Sequence, residues 1–127
     1  MMVAGIGCRT GATADAVVAA LNLALGHCNI EQSQITALAT AADKSGEAGI
    51  AEAGQSLGLR LIFLTPEQLQ SASAGALTVS QRVLSLKGVP SVAETAALAA
   101  AGSGARLLGR RVATPTVTCA IAVREAP

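Results

Sequence analysis

The sequence predicts an α/β fold: one domain over residues 1–127, three layers deep (α/β/α), with a mostly parallel sheet of about five strands and a C-terminal antiparallel hairpin. Three observations carry this expectation. Short apolar runs alternate with segments of helical period along most of the chain. Three of those runs pass directly into glycines or capping residues that can open a helix. Two strand-like runs then close the chain on either side of a Thr114-Pro115 turn.

The elements follow in order. "MVAGI" (2–6) is an apolar run ending in glycines, the first strand. Residues 12–26 place Ala14, Val17, Val18, Leu21 and Leu25 at helical spacing, with Thr10 or Thr13 to cap the start and Gly26 suited to the stop. "QITALAT" (34–40) is the second strand. The helix after it takes Asp43 or Ser45 as cap and Gly58 as stop, although Gly46, Gly49 and Gly54 each weaken it by roughly 1 kcal/mol relative to alanine. "LRLIFL" (59–64) is the most apolar run and reads as a central strand. Thr65, Pro66 and Gln68 make a strong helix start. Residues 71–87 give a mixed signal, with a turn of helix around 81–84. Ser91 and Glu94 read as a capping box for a helix that Gly102 ends. "ARLLGRRVA" and "TVTCAIAV" are the closing strands.

Composition removes several classes of function. Phe63 is the single aromatic residue, so stacking of nucleobases on aromatic rings has almost nothing to work with. The net charge of +1 gives no electrostatic footprint for nucleic acid. The uncharged stretch from Ala16 to Ile30 is fifteen residues long and contains Asn22 and His27, too short and too polar to span a bilayer. No basic segment precedes an apolar signal core, so a cytoplasmic chain with no membrane partner is expected. Cys8, Cys28 and Cys119 are odd in number and lack CxxC spacing, which argues against a disulfide frame and a zinc site. No metal or cofactor is expected. His27 is the only histidine and follows a helix end, an ordinary place for one.

The chemistry concentrates in "GIGCRTGAT" (5–13). Gly5, Gly7 and Gly11 are spaced G-x-G-x-x-x-G, one residue off the dinucleotide fingerprint, and the second strand does not end in the acid that would hold a ribose. No G-x-x-x-x-G-K-[ST] phosphate loop is present. Two readings remain open. The stretch can be a tight strand-to-helix turn and nothing more. It can also be an anion site, because a helix N-terminus offers amide donors and Arg9 a fork suited to a carboxylate. Arg9, Lys44 and Ser45 fall just after strands, so the topology would gather them on the rim where open α/β sheets bind ligands, with Ser91 beside them. A ligand bearing several carboxylates fits such a rim better than a base or a sugar. Each residue also has a plain structural use. Lys44 can be a solvated lysine, Glu47 a first-turn acid favoured by the helix dipole, and Ser91 with Glu94 a cap. Cys8 beside Arg9 is either a small filler or a thiol of lowered pKa.

The same residues resemble a known family. Gly5, Ile6, Gly7, Cys8 and Arg9 match a G-I-G-C-R loop, and Lys44 and Glu47 match a K-x-x-E stretch. Leu57, Gly58, Leu61 and Phe63 match L-G-x-x-L-x-F, and Ser91 through Glu94 match S-V-[AC]-E. Together, and in this order, they resemble the CobE family and the C-terminal domain of CbiG, the cobalt-precorrin-5A hydrolase. The resemblance implies a role in cobalamin (vitamin B12) biosynthesis: binding or delivery of a carboxylate-rich precorrin or corrin intermediate in the aerobic pathway, in company with other enzymes of that pathway. The rim reading and the resemblance together give a candidate ligand-binding set of Gly5, Gly7, Cys8, Arg9, Thr10, Gly11, Lys44, Ser45, Glu47, Ser91 and Glu94. The alternative the resemblance implies is a hydrolase that opens a precorrin lactone and releases a two-carbon fragment. Lys44 and Glu47 would then be an acid–base pair, or Cys8 a nucleophile. The hydrolase has additional N-terminal domain sequence without counterpart in these 127 residues, which places binding ahead of catalysis.

Overall fold

The computed structural model describes residues 1–125. Six strands and five helices follow one another as β1 (Met2–Cys8), α1 (Ala14–Cys28), β2 (Ala37–Ala41), α2 (Ala48–Leu57), β3 (Arg60–Leu64), α3 (Pro66–Ser71), α4 (Gln81–Lys87), α5 (Val92–Ala101), β4 (Arg106–Leu107), β5 (Val112–Ala113) and β6 (Val117–Val123). The open sheet runs β3-β2-β1-β6-β4, and β5 also pairs with β6. β1, β2 and β3 are mutually parallel, whereas β6 is antiparallel to β1, β4 and β5. β4 meets β6 at Ala122 and Val123, and β5 meets it at Thr118 and Cys119, so the two short strands share one position and the sheet is five strands wide. Among the described residues no helix is long and apolar enough to cross a membrane.

Alternation along β1 explains the three layers. Ala4, Ile6 and Cys8 face α1 and α2, where they join Val17, Leu21, Leu38 and Ile50 in one cluster. Val3 faces the other way, into a second cluster with Leu69, Ala97 and Ala101 of α3 and α5. Gly5 and Gly7 share that second face. A Cβ on Gly5 would lie 1.9 Å from the Ala93 carbonyl oxygen, so the backbone of α5 rests directly on the strand. Gly5 therefore serves helix–sheet contact, whereas a Cβ on Gly7 would meet the Thr118 hydroxyl of β6 at 2.6 Å.

The structure corrects several sequence expectations. β3 is an edge strand, not a central one. Its apolar character has a different source: Leu61 feeds the α1/α2 cluster, while Ile62 and Leu64 feed the α5 cluster. A strand that sends apolar side chains to both faces reads as a continuous apolar run wherever it lies in the sheet. α1 runs past Gly26 and stops at Asn29, which takes the left-handed conformation (φ 56°) and donates its N–H to the Gly26 and Leu25 carbonyls. Neither Asp43 nor Ser45 caps α2. Residues 42–44 form a separate 3₁₀ turn, and Glu47 occupies the cap position; Gly58 ends the helix as expected (φ 70°). Gly49 fits because a Cβ there would meet the Ala12 carbonyl oxygen at 2.1 Å. The turn of helix expected around 81–84 is a full helix through Lys87, capped by Ser80. The penultimate strand is broken between Leu107 and Val112, because the Arg111 amide turns away from β6 to donate to Glu94.

The two kinds of glycine predict opposite responses to alanine. Gly5→Ala is expected to destabilise the chain by about 3 kcal/mol in urea unfolding, since backbone must move to admit the methyl. Gly26→Ala, on an exposed helical surface with nothing near its Cβ position, is expected to stabilise by about 0.5–1 kcal/mol. A neutral Gly5→Ala would contradict the close approach of α5.

Candidate functional site

A hollow of about 530 Å³ opens at the carboxyl ends of β1 and β2, within the size range of small-molecule sites. Its floor is Gly7, Cys8, Ala41 and Val92. One wall is the loop after β1, Arg9 and Thr10, with Asp43 and Lys44 after β2. A second wall is α4, through Arg82, Val83, Leu86 and Lys87. The third is Arg111 and the turn from Thr114 to Thr118.

Local bonds fix this frame. The Arg9 amide donates to the Thr116 carbonyl (2.9 Å), the Thr118 hydroxyl to the Gly7 carbonyl (3.3 Å), and the buried Thr40 hydroxyl to the Ile6 carbonyl (2.7 Å). The end of β1 is thus held from both neighbouring strands. Thr114 closes the β5–β6 turn, its hydroxyl donating to the Val117 carbonyl (3.1 Å) and accepting from the Val117 amide (3.2 Å). Lys87 is ion-paired with Asp43, which ties α4 across the mouth to the turn after β2.

Charge is concentrated here. Arg9, Lys44, Arg82, Lys87 and Arg111 are five of the nine cationic side chains in the sequence, and Asp43 is the only acid in the lining. Two ion pairs form among the described residues, Lys87–Asp43 and Arg106–Glu125, so Arg9, Lys44, Arg82 and Arg111 face the hollow without a carboxylate partner. Apolar surface adjoins the cations: Leu86 is 68% exposed on α4, and Leu84, Leu77 and Val79 are also exposed on the same segment. The arrangement can take a ligand that carries several carboxylates around an apolar body.

A family model described as "Cobalamin synthesis G C-terminus" matches residues 2–122. The chain belongs to this family. It is similar to Protein CobE of Sinorhizobium sp., 26% identical over 121 residues that span 95% of this chain and 79% of that protein. Its fold matches the crystal structure of CobE, described as a protein from the cobalamin (vitamin B12) biosynthetic pathway, with a TM-score of 0.90 and 35% identity, covering 96% of this chain and 89% of that one. It also matches cobalamin biosynthesis protein ChiG from Agrobacterium tumefaciens, with a TM-score of 0.79 and 45% identity over 99% of this chain and all of that one. Membership of this cobalamin synthesis family places the chain in cobalamin biosynthesis.

The family motifs separate on the fold. Gly7, Cys8, Arg9, Thr10 and Lys44 line the hollow together. Gly5 lies under α5, away from it. Gly11 and Glu47 bond each other instead: the Gly11 amide donates to a Glu47 carboxylate oxygen at 2.8 Å, so that Glu47 ties the β1–α1 loop to the start of α2. The Ala12 and Ala16 amides are likewise taken within the chain, by the Arg9 carbonyl and the Thr13 hydroxyl. The first turn of α1 contributes nothing to the lining, and the site draws on side-chain cations in its place. Ser45 is exposed beside the hollow. Ser91 is buried and caps α5, accepting from the Glu94 amide (3.3 Å). The capping box is only half formed, because the Glu94 carboxylate accepts from the Leu77, Thr78 and Arg111 amides. Arg82, Lys87 and Arg111 were not legible from sequence: they come from the mixed segment and from a broken strand, and no spacing connects them to Arg9. The one available signal was their charge in a chain with few charged residues.

Cys8 does not have the lowered pKa that its neighbours suggest. Burial pushes the thiol up, Lys44 draws it partly back, and Glu47 and Asp43 add to the rise. Alkylation of Cys8 by iodoacetamide, followed by peptide mass spectrometry, is expected to show a midpoint above the ordinary cysteine range. Glu47→Gln should lower that midpoint and Lys44→Met should raise it further. A midpoint below the ordinary range would overturn this account of the site.

Proposed function

We propose that the chain binds a carboxylate-rich precorrin or corrin intermediate of cobalamin biosynthesis in this hollow and passes it on to another enzyme of the pathway. The observation that carries the reading is the convergence of five cations on one hollow, four of them with no carboxylate partner among the described residues. Acetate and propionate arms of such a ring would pair with Arg9, Lys44, Arg82 and Arg111, while its apolar body lies against Leu86, Val83 and Pro115. The hydrolase reading finds less support. Glu47 is bonded to Gly11 and lies outside the lining, so it is not placed as the partner of Lys44 in acid–base work. Cys8 lines the hollow as a protonated thiol, a poor nucleophile.

Absorbance titration with hydrogenobyrinic acid tests the proposal. Arg9→Ala and Lys44→Ala are each expected to weaken binding by about 0.5–1 kcal/mol, the range of pairings that water reaches, and raised salt should weaken it further. Arg60→Ala, at the opposite end of the parallel strands, should leave it unchanged. An unshifted spectrum together with no co-elution of ring and protein on gel filtration would refute the proposal.

A further inference from the structure

Glu94 is completely buried, with 0% exposure, yet no cation lies within ion-pairing distance of it among the described residues. Buried carboxylates are ordinarily paired with a cation, because leaving water is costly for a charge. Here four donors stand in. One oxygen accepts from the Leu77 amide (2.9 Å) and the Thr78 amide (2.8 Å). The other accepts from the Thr78 hydroxyl (2.8 Å) and the Arg111 amide (2.9 Å). The donors come from two segments far apart in the chain, neither of which belongs to a strand or helix at these residues. Leu77 and Thr78 lead into α4, the wall bearing Arg82, Leu86 and Lys87. Arg111 begins the wall that runs through Thr114 to Thr118.

We infer that Glu94 is a positioning residue that sets the gap between these two cationic walls; the inference rests on the ligand-binding reading of the hollow. Its helix is the rigid member. α5 rests on β1 at Gly5 and is buried along most of its length, so the carboxylate is a fixed post to which both walls are tied. A carboxylate suits this task where other side chains do not. It accepts about four hydrogen bonds and donates none, so it satisfies all four groups at once. Glutamine would accept at one atom and present an N–H₂ group to donors at the other. Alanine would leave three half-buried amides and the Thr78 hydroxyl without this partner.

The test uses the full chain with Glu94→Gln and Glu94→Asp. Three measurements are made: far-UV circular dichroism for the fold, amide hydrogen exchange for the walls, and titration with hydrogenobyrinic acid and with benzenehexacarboxylate, a flat polycarboxylate unrelated to corrins. Glu94→Gln is expected to speed exchange at 77–80 and at 110–112 together while β1 and α1 stay protected. It should weaken binding of both ligands by about tenfold or more, with Glu94→Asp intermediate. A charge effect predicts the opposite sign, since removing a buried negative charge beside an anion site favours anions. Unchanged or tighter binding in Glu94→Gln, or faster exchange in only one of the two segments, would overturn the inference and leave the binding proposal standing. A wild-type chain that binds neither ligand defeats the binding proposal, and the gap-setting role with it. Should Glu94→Gln fail to fold, Thr78→Val removes one bond to the carboxylate. It is expected to give a smaller change of the same sign in exchange and affinity, and no change in either would overturn the inference.

Discussion

The constraint on which the site depends is the close seat of α5 on β1. The Ala93 carbonyl occupies the space that any side chain at Gly5 would need, and the Gly5 Cβ position would also lie 2.7 Å from the Ala97 amide. The rest of the site depends on this approach. It brings the first turn of α5 over the carboxyl end of β1, where Val92 becomes part of the floor of the hollow. It also sets Glu94, in that same first turn, between the segment entering α4 and the turn carrying Arg111. A side chain at residue 5 would push α5 outward and move both walls with it. The buried alanines of α5, Ala93, Ala96, Ala97 and Ala101, fit the same approach: a helix this close to a strand leaves room only for small side chains between them.

Electrostatics completes what packing begins. The chain as a whole is nearly neutral, at +1, but its cations and acids are placed differently. Five cations surround the hollow, whereas the acids near it have partners of their own. Asp43 holds Lys87, Glu47 holds the Gly11 amide, and Glu94 is enclosed by four donors. Each acid thereby acts on the architecture, and none of the three offers a free carboxylate to repel an anionic ligand. The unpaired cations are exposed or half-exposed, so water and salt screen their mutual repulsion at small cost to stability.

Much of the fold was legible in the sequence because its signals are local. A short apolar run ending in glycines marks β1, the Thr65-Pro66-Gln68 cap marks α3, and Gly58 and Gly102 mark helix ends. Signals that depend on lateral neighbours were not legible. The composition of 59–64 shows that both faces of β3 contribute apolar side chains and says nothing of its open edge. Asn29 took the helix stop from Gly26 because asparagine tolerates the left-handed conformation nearly as well when its N–H finds a carbonyl. Of the candidate site residues, Arg9 and Lys44 follow adjacent parallel strands, so topology alone brings them to one rim. Glu47 and Glu94 carry cap-like spacing, but their carboxylates reach partners 36 and 17 residues away, a choice that only the folded chain makes. Arg82 and Arg111 join the site through those same long-range bonds, which is why no motif announced them.

On the binding reading, the character of the walls bears on how a ligand would be held. A deeply enclosed site with buried, fully paired charges releases its ligand slowly, because each broken pair leaves a desolvated charge behind. The hollow here is built from cations that reach water and from an α4 whose leucines are largely uncovered, and it is closed across the mouth by an ion pair that water also reaches. A carboxylate arm leaving Arg9 or Lys44 returns both groups to solvent at little cost, and Asp43 stands ready to hold Lys87 when no ligand does. On that reading affinity would come from several weak pairings acting together on one rigid ring, and the ring would be released one arm at a time. Such a surface suits transfer of a polyanionic intermediate to a second protein better than its chemical alteration, and the protonated thiol at the floor is consistent with that division of labour.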